Sequence, residues 1–266
     1  MVTSPADTPS DPEPQQIAVY RAYLQLQSIA ENRYSGALAG RLLLCLGFGQ
    51  RGAELALAAI IAGGAFLGIE PDPQRLKTAV RQGACDFMVN TLDEALRVLK
   101  NELRKRTPLS AGLLGDPATI VPAMVERGVQ PDLIAIASDL ESPETLDTLV
   151  GRGAQLLHFL DTGLLENGSP AEVQWTASNL QDLHRMDRIA LDLLPPGDRV
   201  RRTWLERAPG YFYRRKPPAR MLNLSSEERA HLLESLRREH DRATFQSPAR
   251  LNWQDAGKAE QTVSLG

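Results

Sequence analysis

"LLLCLGFGQRGAELALAAIIAGGAFLGIEPD", residues 42–72, decides how the chain is read. An apolar run ends at Gly47, Gly49 and Gly52 in the spacing G-x-G-x-x-G, Ala- and Leu-rich sequence follows, and a second apolar run closes on Glu70. A β-type run, a glycine turn, a helical run and another β-type run make a strand–loop–helix–strand unit. In such a unit the first glycine makes the tight turn, the second lets backbone approach a pyrophosphate, and the third lets helix and strand pack closely. The helix start then offers free N–H groups and a positive dipole end to the phosphates. Glu70 stands 23 positions after Gly47, close to the ~20 at which an acid reaches a ribose hydroxyl pair, which favours NAD over NADP. Two other readings compete. A membrane segment fails, because the apolar stretch 55–69 is broken by Gly63-Gly64 and is shorter than the ~20 residues that cross a bilayer. Plain buried core would leave the glycines as packing devices and Glu70 as a solvated strand end; the order of the elements favours the nucleotide loop.

Composition narrows the class. At 266 residues the chain can bury an ample core without disulfides or structural metal. A net charge of −3 gives the molecule no electrostatic footprint for nucleic acid. Cys45 and Cys85 lie inside apolar runs and read as buried thiols, which suits a reducing, cytoplasmic compartment. Residues 1–14 are acidic and Pro-rich, with no basic start and no apolar core of a signal peptide, and are expected to be a disordered lead.

From residue 41 onward short β-type runs alternate with amphipathic helical stretches, the rhythm of a doubly wound α/β domain with a parallel sheet. Strands are expected near 41–46, 65–70, 85–89, 110–114, 132–137 and 154–159. The expected architecture is Rossmann-like, six strands in the order 3-2-1-4-5-6, with helical or irregular extensions at both ends. Thr91 to Glu94 forms a capping box, and Asp116-Pro117 and Ser142-Pro143 each place a cap before a proline at the first helical position. A leading helix with Ile17, Tyr20 and Leu24 on one face completes a domain over 15–165. In 166–266 the rhythm stops. Ser169-Pro170 reads as the start of a helix to about Leu194, followed by an irregular Pro/Arg/aromatic stretch to Arg220 and a helix capped by Ser225 and Glu228. Trp175, Trp204, Tyr211, Phe212, Tyr213 and Trp253 are too many rings to leave in water. They are expected to belong to an arm that reaches a second copy and makes a homodimer.

The stretches "GALAGRLLLCLGFGQRGAELALAAIIAGGAFLGIEPDPQRLKTAVRQGACDFMVNTLDEALR" and "GLLGDPATIVPAMVERGVQPDLI" resemble the dinucleotide-binding domain of urocanase, urocanate hydratase, from about Gly36 to Leu133. The resemblance covers the glycine loop, the pair Glu70 and Arg75, the "TLDEALR" helix start and the "PAMVERGVQPD" segment, in order. It implies tightly held NAD that acts as an electrophile toward an imidazole substrate, without net hydride transfer. Departures are concentrated in the loops. The family's loop reads G-L-G-G-M-G-G-A-Q, so Gln50, Arg51, Ala53 and Glu54 alter it here while Gly47, Gly49 and Gly52 remain. The family's Gly-Asn-Ala turn becomes Gly115-Asp116-Pro117, and its Asp-Gln-Thr-Ser-Ala-His run becomes Ile136 to Glu141, with Ser138 and Asp139 at its centre. By resemblance these changed loops face the pyrophosphate and nicotinamide, where added carboxylates repel phosphate unless Arg51 or another cation compensates. The family's catalytic core, with its glycine-cysteine-threonine-methionine motif, has no counterpart in this sequence, so urocanase activity is not expected.

Other chemistry is sparse. His158 sits at the carboxyl end of the last expected strand, near Asp161, and is the one candidate acid or base. His184, His231 and His240 fall on polar stretches and no pair has metal spacing. Three functions remain open: a protein that binds NAD or a related adenine nucleotide, an NAD-dependent lyase or hydratase acting on an imidazole or other unsaturated acid, and an assembly protein with a vestigial site.

Overall fold

The computed structural model describes residues 14–137, 144–157, 170–212, 219–242, 245, 248–253 and 260–265. By contacts the chain divides into two units, Arg21–Phe159 and a second made of Leu160–Gly266 with Met1–Tyr20.

The first unit is the alternating domain. After helix α1 (Pro14–Arg33), whose first turns cluster with the second unit, come β1 (Leu42–Leu46), α2 (Gln50–Ile61), β2 (Ala65–Glu70), α3 (Pro73–Arg81), β3 (Phe87–Val89), α4 (Leu92–Lys105), β4 (Leu109–Leu114), α5 (Pro117–Glu126), β5 (Leu133–Ile136), α6 (Thr145–Gly151) and β6 (Gln155–Leu157). The buried apolar positions of α1 are Val19, Tyr20, Tyr23, Leu26 and Ala30, so the stripe keeps the expected Tyr20 but is rotated from Ile17 and Leu24, which are only half-buried. β1, β2 and β4 are apolar on both faces, as strands covered by helices on each side must be. Leu44, Leu67, Leu113 and Ile134 pack toward one face, against Leu99, Met124 and Leu149 of α4, α5 and α6. The Ala/Leu run that raised the membrane question is α2, buried from Gly52 to Ile61. No helix among the described residues is long and apolar enough to cross a membrane.

All six strands are parallel, as expected of a Rossmann-like sheet, but their order is β3-β4-β2-β1-β5-β6 and not 3-2-1-4-5-6. Strand length and burial account for the difference. β4 is six residues of almost wholly buried sequence and pairs with β2 along its full length, Ala65 with Leu109 through Glu70 with Leu114. β3 is three residues long with Phe87 half-exposed, and a strand so short and so wet on one side belongs at an edge. β1 still lies between β2 and β5, so its carboxyl end stays at the point where the chain switches direction across the sheet.

The second unit is not a helical and irregular extension. It holds β7 (Ala171–Ala177), α7 (Leu180–Leu193), α8 (Arg199–Phe212), β8 (Ala219–Leu224), α9 (Ser226–Asp241), β9 (Ala249–Trp253) and β10 (Gln261–Leu265), with an antiparallel sheet in the order β10-β9-β7-β8. The expected helix from Ser169-Pro170 begins instead as a strand, because "AEVQWTA" alternates with period two: Val173, Trp175 and Ala177 are buried on one face. The stretch expected to be irregular is mostly α8. The capping box of Ser225 and Glu228 is present. Trp175, Trp204, Phe212 and Trp253 are all buried. Trp204 Nε1 donates to Met221 O (2.9 Å), Arg201 Nη1 donates to Asn223 O (3.0 Å) and the Asn223 amide donates to Tyr20 Oη (2.9 Å), so side chains close the free edge of β8. Of the rings expected to reach a second copy, these four are buried within the unit and Tyr211 is half-buried, while Tyr213, with Pro217-Pro218, lies outside the described residues.

A buried ion pair ties α7 to the sheet: Arg220 Nε donates to Asp187 Oδ2 at 3.0 Å and Trp175 Nε1 to Asp187 Oδ1 at 3.0 Å. Burial pushes the Asp187 carboxyl above the usual range, against the opposing pull of Arg220. Removing one partner strands the other, so Arg220→Leu is expected to cost about 3–5 kcal/mol in urea unfolding. A loss of less than about 1 kcal/mol contradicts the assignment.

Candidate functional site

The three glycines of the loop take three different roles. Gly47 has φ 97°, a left-handed conformation that favours glycine, and its N–H donates to Ile69 O at 2.8 Å, tying the turn to β2. A Cβ on Gly52 would collide with the Gly47 carbonyl oxygen, so the third glycine lets α2 close on the turn. Gly49 is different: a Cβ there meets nothing within 4 Å. It is the N-cap of α2, extended at φ −69° and ψ −161°, with no side chain capping the helix and no acid in the first turn. The opening amides of α2 and the positive end of its dipole thus lie beside a residue without a side chain. Residues 15–143 match the family model described as the urocanase Rossmann-like domain. This part of the chain resembles the urocanase Rossmann-like domain. A crystal structure of L-tryptophan dehydrogenase from Nostoc punctiforme is similar at 15% identity and a TM-score of 0.24, over 52% of this chain and 44% of that one. The matched region spans less than half the length of that protein.

Beneath the loop of the urocanase-like domain lies Glu70. Its Oε2 accepts from the Phe48 amide at 2.7 Å, its Oε1 accepts from the Asp72 amide at 3.1 Å, and Arg75 Nη1 stands 3.8 Å from Oε2. One carboxylate thereby joins the glycine loop to the start of α3. The residue is 0% exposed, and its burial as a charge is tolerable only because two amides and a guanidinium surround it. A second anchor escaped the reading of the sequence. The Phe48 ring is buried over Gly68 and Gly112, paired in register on β2 and β4, and meets Phe66 edge-on at 5.3 Å. The signal was present as two glycines inside otherwise large apolar strands, which mark a place where another group comes close.

The remaining candidates fall in three places. Arg51 and Gln50 are exposed at the first turn of α2; Gln50 Nε2 donates to Glu54 Oε1 at 3.1 Å, while Arg51 extends free of any ion pair among the described residues. Gly115 and Asp116 follow β4, and the Gly115 amide donates to Glu70 O at 3.1 Å. The strand order therefore sets Asp116 on the Glu70 side of β1 and not toward the β5 end, and its carboxylate caps α5 by accepting from the Ala118 amide at 3.0 Å. The added charge expected to face the pyrophosphate and nicotinamide is a helix cap on the Glu70 side of β1. Ser138, Asp139, His158 and Asp161 lie outside the described residues. Burial raises the Cys45 thiol far above its ordinary range and, assisted by Asp86, pushes Cys85 up to about 12, so both stay neutral and unreactive. Among the described residues no three His, Cys, Asp or Glu side chains could hold a metal.

Set against a dinucleotide, the space at Gly49, the uncapped start of α2 and the exposed Arg51 are the features that could receive a pyrophosphate. Glu70 does not fit the ribose in the same way, since its oxygens are turned to backbone amides and none of its surface is open. The family match and this geometry point to a nucleotide cofactor.

The glycines separate cleanly in their expected costs. Gly52→Ala forces α2 off the Gly47 carbonyl and is expected to destabilise by about 1–3 kcal/mol, whereas Gly49→Ala stays within about 0.5 kcal/mol in chemical denaturation. Equal losses in the two variants contradict the roles assigned.

Proposed function

We propose that the urocanase-like domain binds NAD or a closely related adenine nucleotide at the glycine loop, as a binding module that does not hydrate urocanate. The observation that carries this reading is the open space over Gly49 at an uncapped helix start, beside two glycines held by close packing. The amides of Gln50, Arg51 and Gly52 receive the pyrophosphate, and the exposed Arg51 guanidinium adds a cation where the family has a methionine. NAD, when bound, supplies an electrophilic pyridinium ring. The chain's part is to bind and orient it. Burial of Glu70 and of the Phe48 ring keeps the loop preformed, so binding does not have to order it first.

Calorimetry with NAD on the full chain tests the reading. Saturable one-site binding is expected, and Gly49→Val, which fills the space above the loop, is expected to abolish it while the protein stays folded. Unchanged affinity in the variant defeats the assignment. In a spectrophotometric assay at high protein concentration no loss of urocanate is expected; turnover contradicts the binding-module reading.

A further inference from the structure

We propose that Glu70 holds the glycine loop, and that selection at the adenosine ribose falls to Asp72 together with Arg75. The assignment rests on nucleotide binding at that loop. An acid that clasps a ribose diol needs an open face, and Glu70 has none. Its exposure is 0%, with one oxygen taken by the Phe48 amide at 2.7 Å and the other by the Asp72 amide at 3.1 Å. Asp72 is joined to that carboxylate through its own amide. Its Oδ1 accepts from the Gln74 amide at 2.8 Å and caps α3, while Oδ2 lies 3.8 Å from Arg75 Nε, and the two side chains are 47% and 54% exposed.

Asp72 thus offers what Glu70 does not, a half-open carboxylate with one oxygen uncommitted to a backbone amide, at the end of the strand over which an adenosine ribose lies in this fold. It can accept from a hydroxyl and repel a 2′-phosphate. Arg75 lies 3.8 Å from both acids and fixes their positions by charge.

Two near-isosteric variants of the full chain separate the roles. Asp72→Asn keeps a helix cap of equal quality and removes only the charge. Glu70→Gln puts a donor where an acceptor was, so one of the two amides loses its partner. Amide hydrogen exchange without nucleotide is read at Phe48, and affinities for NAD and NADP are read by calorimetry. Glu70→Gln is expected to speed Phe48 exchange and to weaken both nucleotides by the same factor, about tenfold. Asp72→Asn is expected to leave Phe48 exchange unchanged and to move the NADP-to-NAD affinity ratio about fivefold or more toward NADP. The proposal is overturned if Glu70→Gln shifts that ratio while Phe48 exchange is unaltered, or if Asp72→Asn leaves the ratio where it was. A wild-type chain that binds neither nucleotide defeats the functional reading above, and the exchange arm then decides the role of Glu70 by itself.

Discussion

A single carboxylate, buried under the loop, is the constraint on which the nucleotide end of this protein depends. Glu70 reaches from the tip of β2 to the Phe48 amide on one side and the Asp72 amide on the other. Without it, the buried Phe48 amide and the Asp72 amide lose their acceptor and the glycine turn loses one of its ties to the sheet. The strand order strengthens the arrangement. Because β4 and not β3 lies beside β2, a long buried strand flanks Glu70, and the glycines that receive the Phe48 ring come into register across the β2–β4 pair. The loop is held from below by charge and from the side by an aromatic ring.

That arrangement also explains why a loop with an altered tip keeps its shape. Gln50 and Arg51 are exposed and take no part in holding the turn, whereas Gly47, Phe48 and Gly52 are buried and do. Substitutions at the tip are therefore free to change what the loop attracts without changing what it is. Arg51 at the positive end of a helix is unfavourable to its own dipole, an arrangement that an anion relieves.

Much of the first unit could be read in the sequence because its strands are continuous apolar runs and its helices announce their starts. The Thr91 and Asp116 side chains cap α4 and α5 as expected, while the Glu94 carboxylate of the expected capping box accepts from the Asn90 amide. The order of the strands was not legible, since apolar runs of similar composition do not state which neighbour each will choose. The length of β3 and the exposure of Phe87 decide that in three dimensions. In the second unit, "AEVQWTA" was masked by a Ser-Pro helix signal just before it, and β8, β9 and β10 are short segments that gain strand character only by pairing. At the site, the glycine spacing was visible, but the role of Glu70 turned on the direction of its two oxygens, which no spacing encodes. Asp72, an acid before a proline, carries in the sequence only the signal of a helix cap, which it also is.

The central claim is that a nucleotide sits on the first turn of α2, over Gly49. Amide chemical shifts of isotope-labelled protein, followed while NAD is added, test it most directly. The account predicts saturable shifts centred on Gly49, Gln50, Arg51 and Gly52, with smaller ones at Asp72 and little change at Phe48, whose amide stays with Glu70. Shifts that leave this turn untouched, or that cluster in the antiparallel unit, would contradict it.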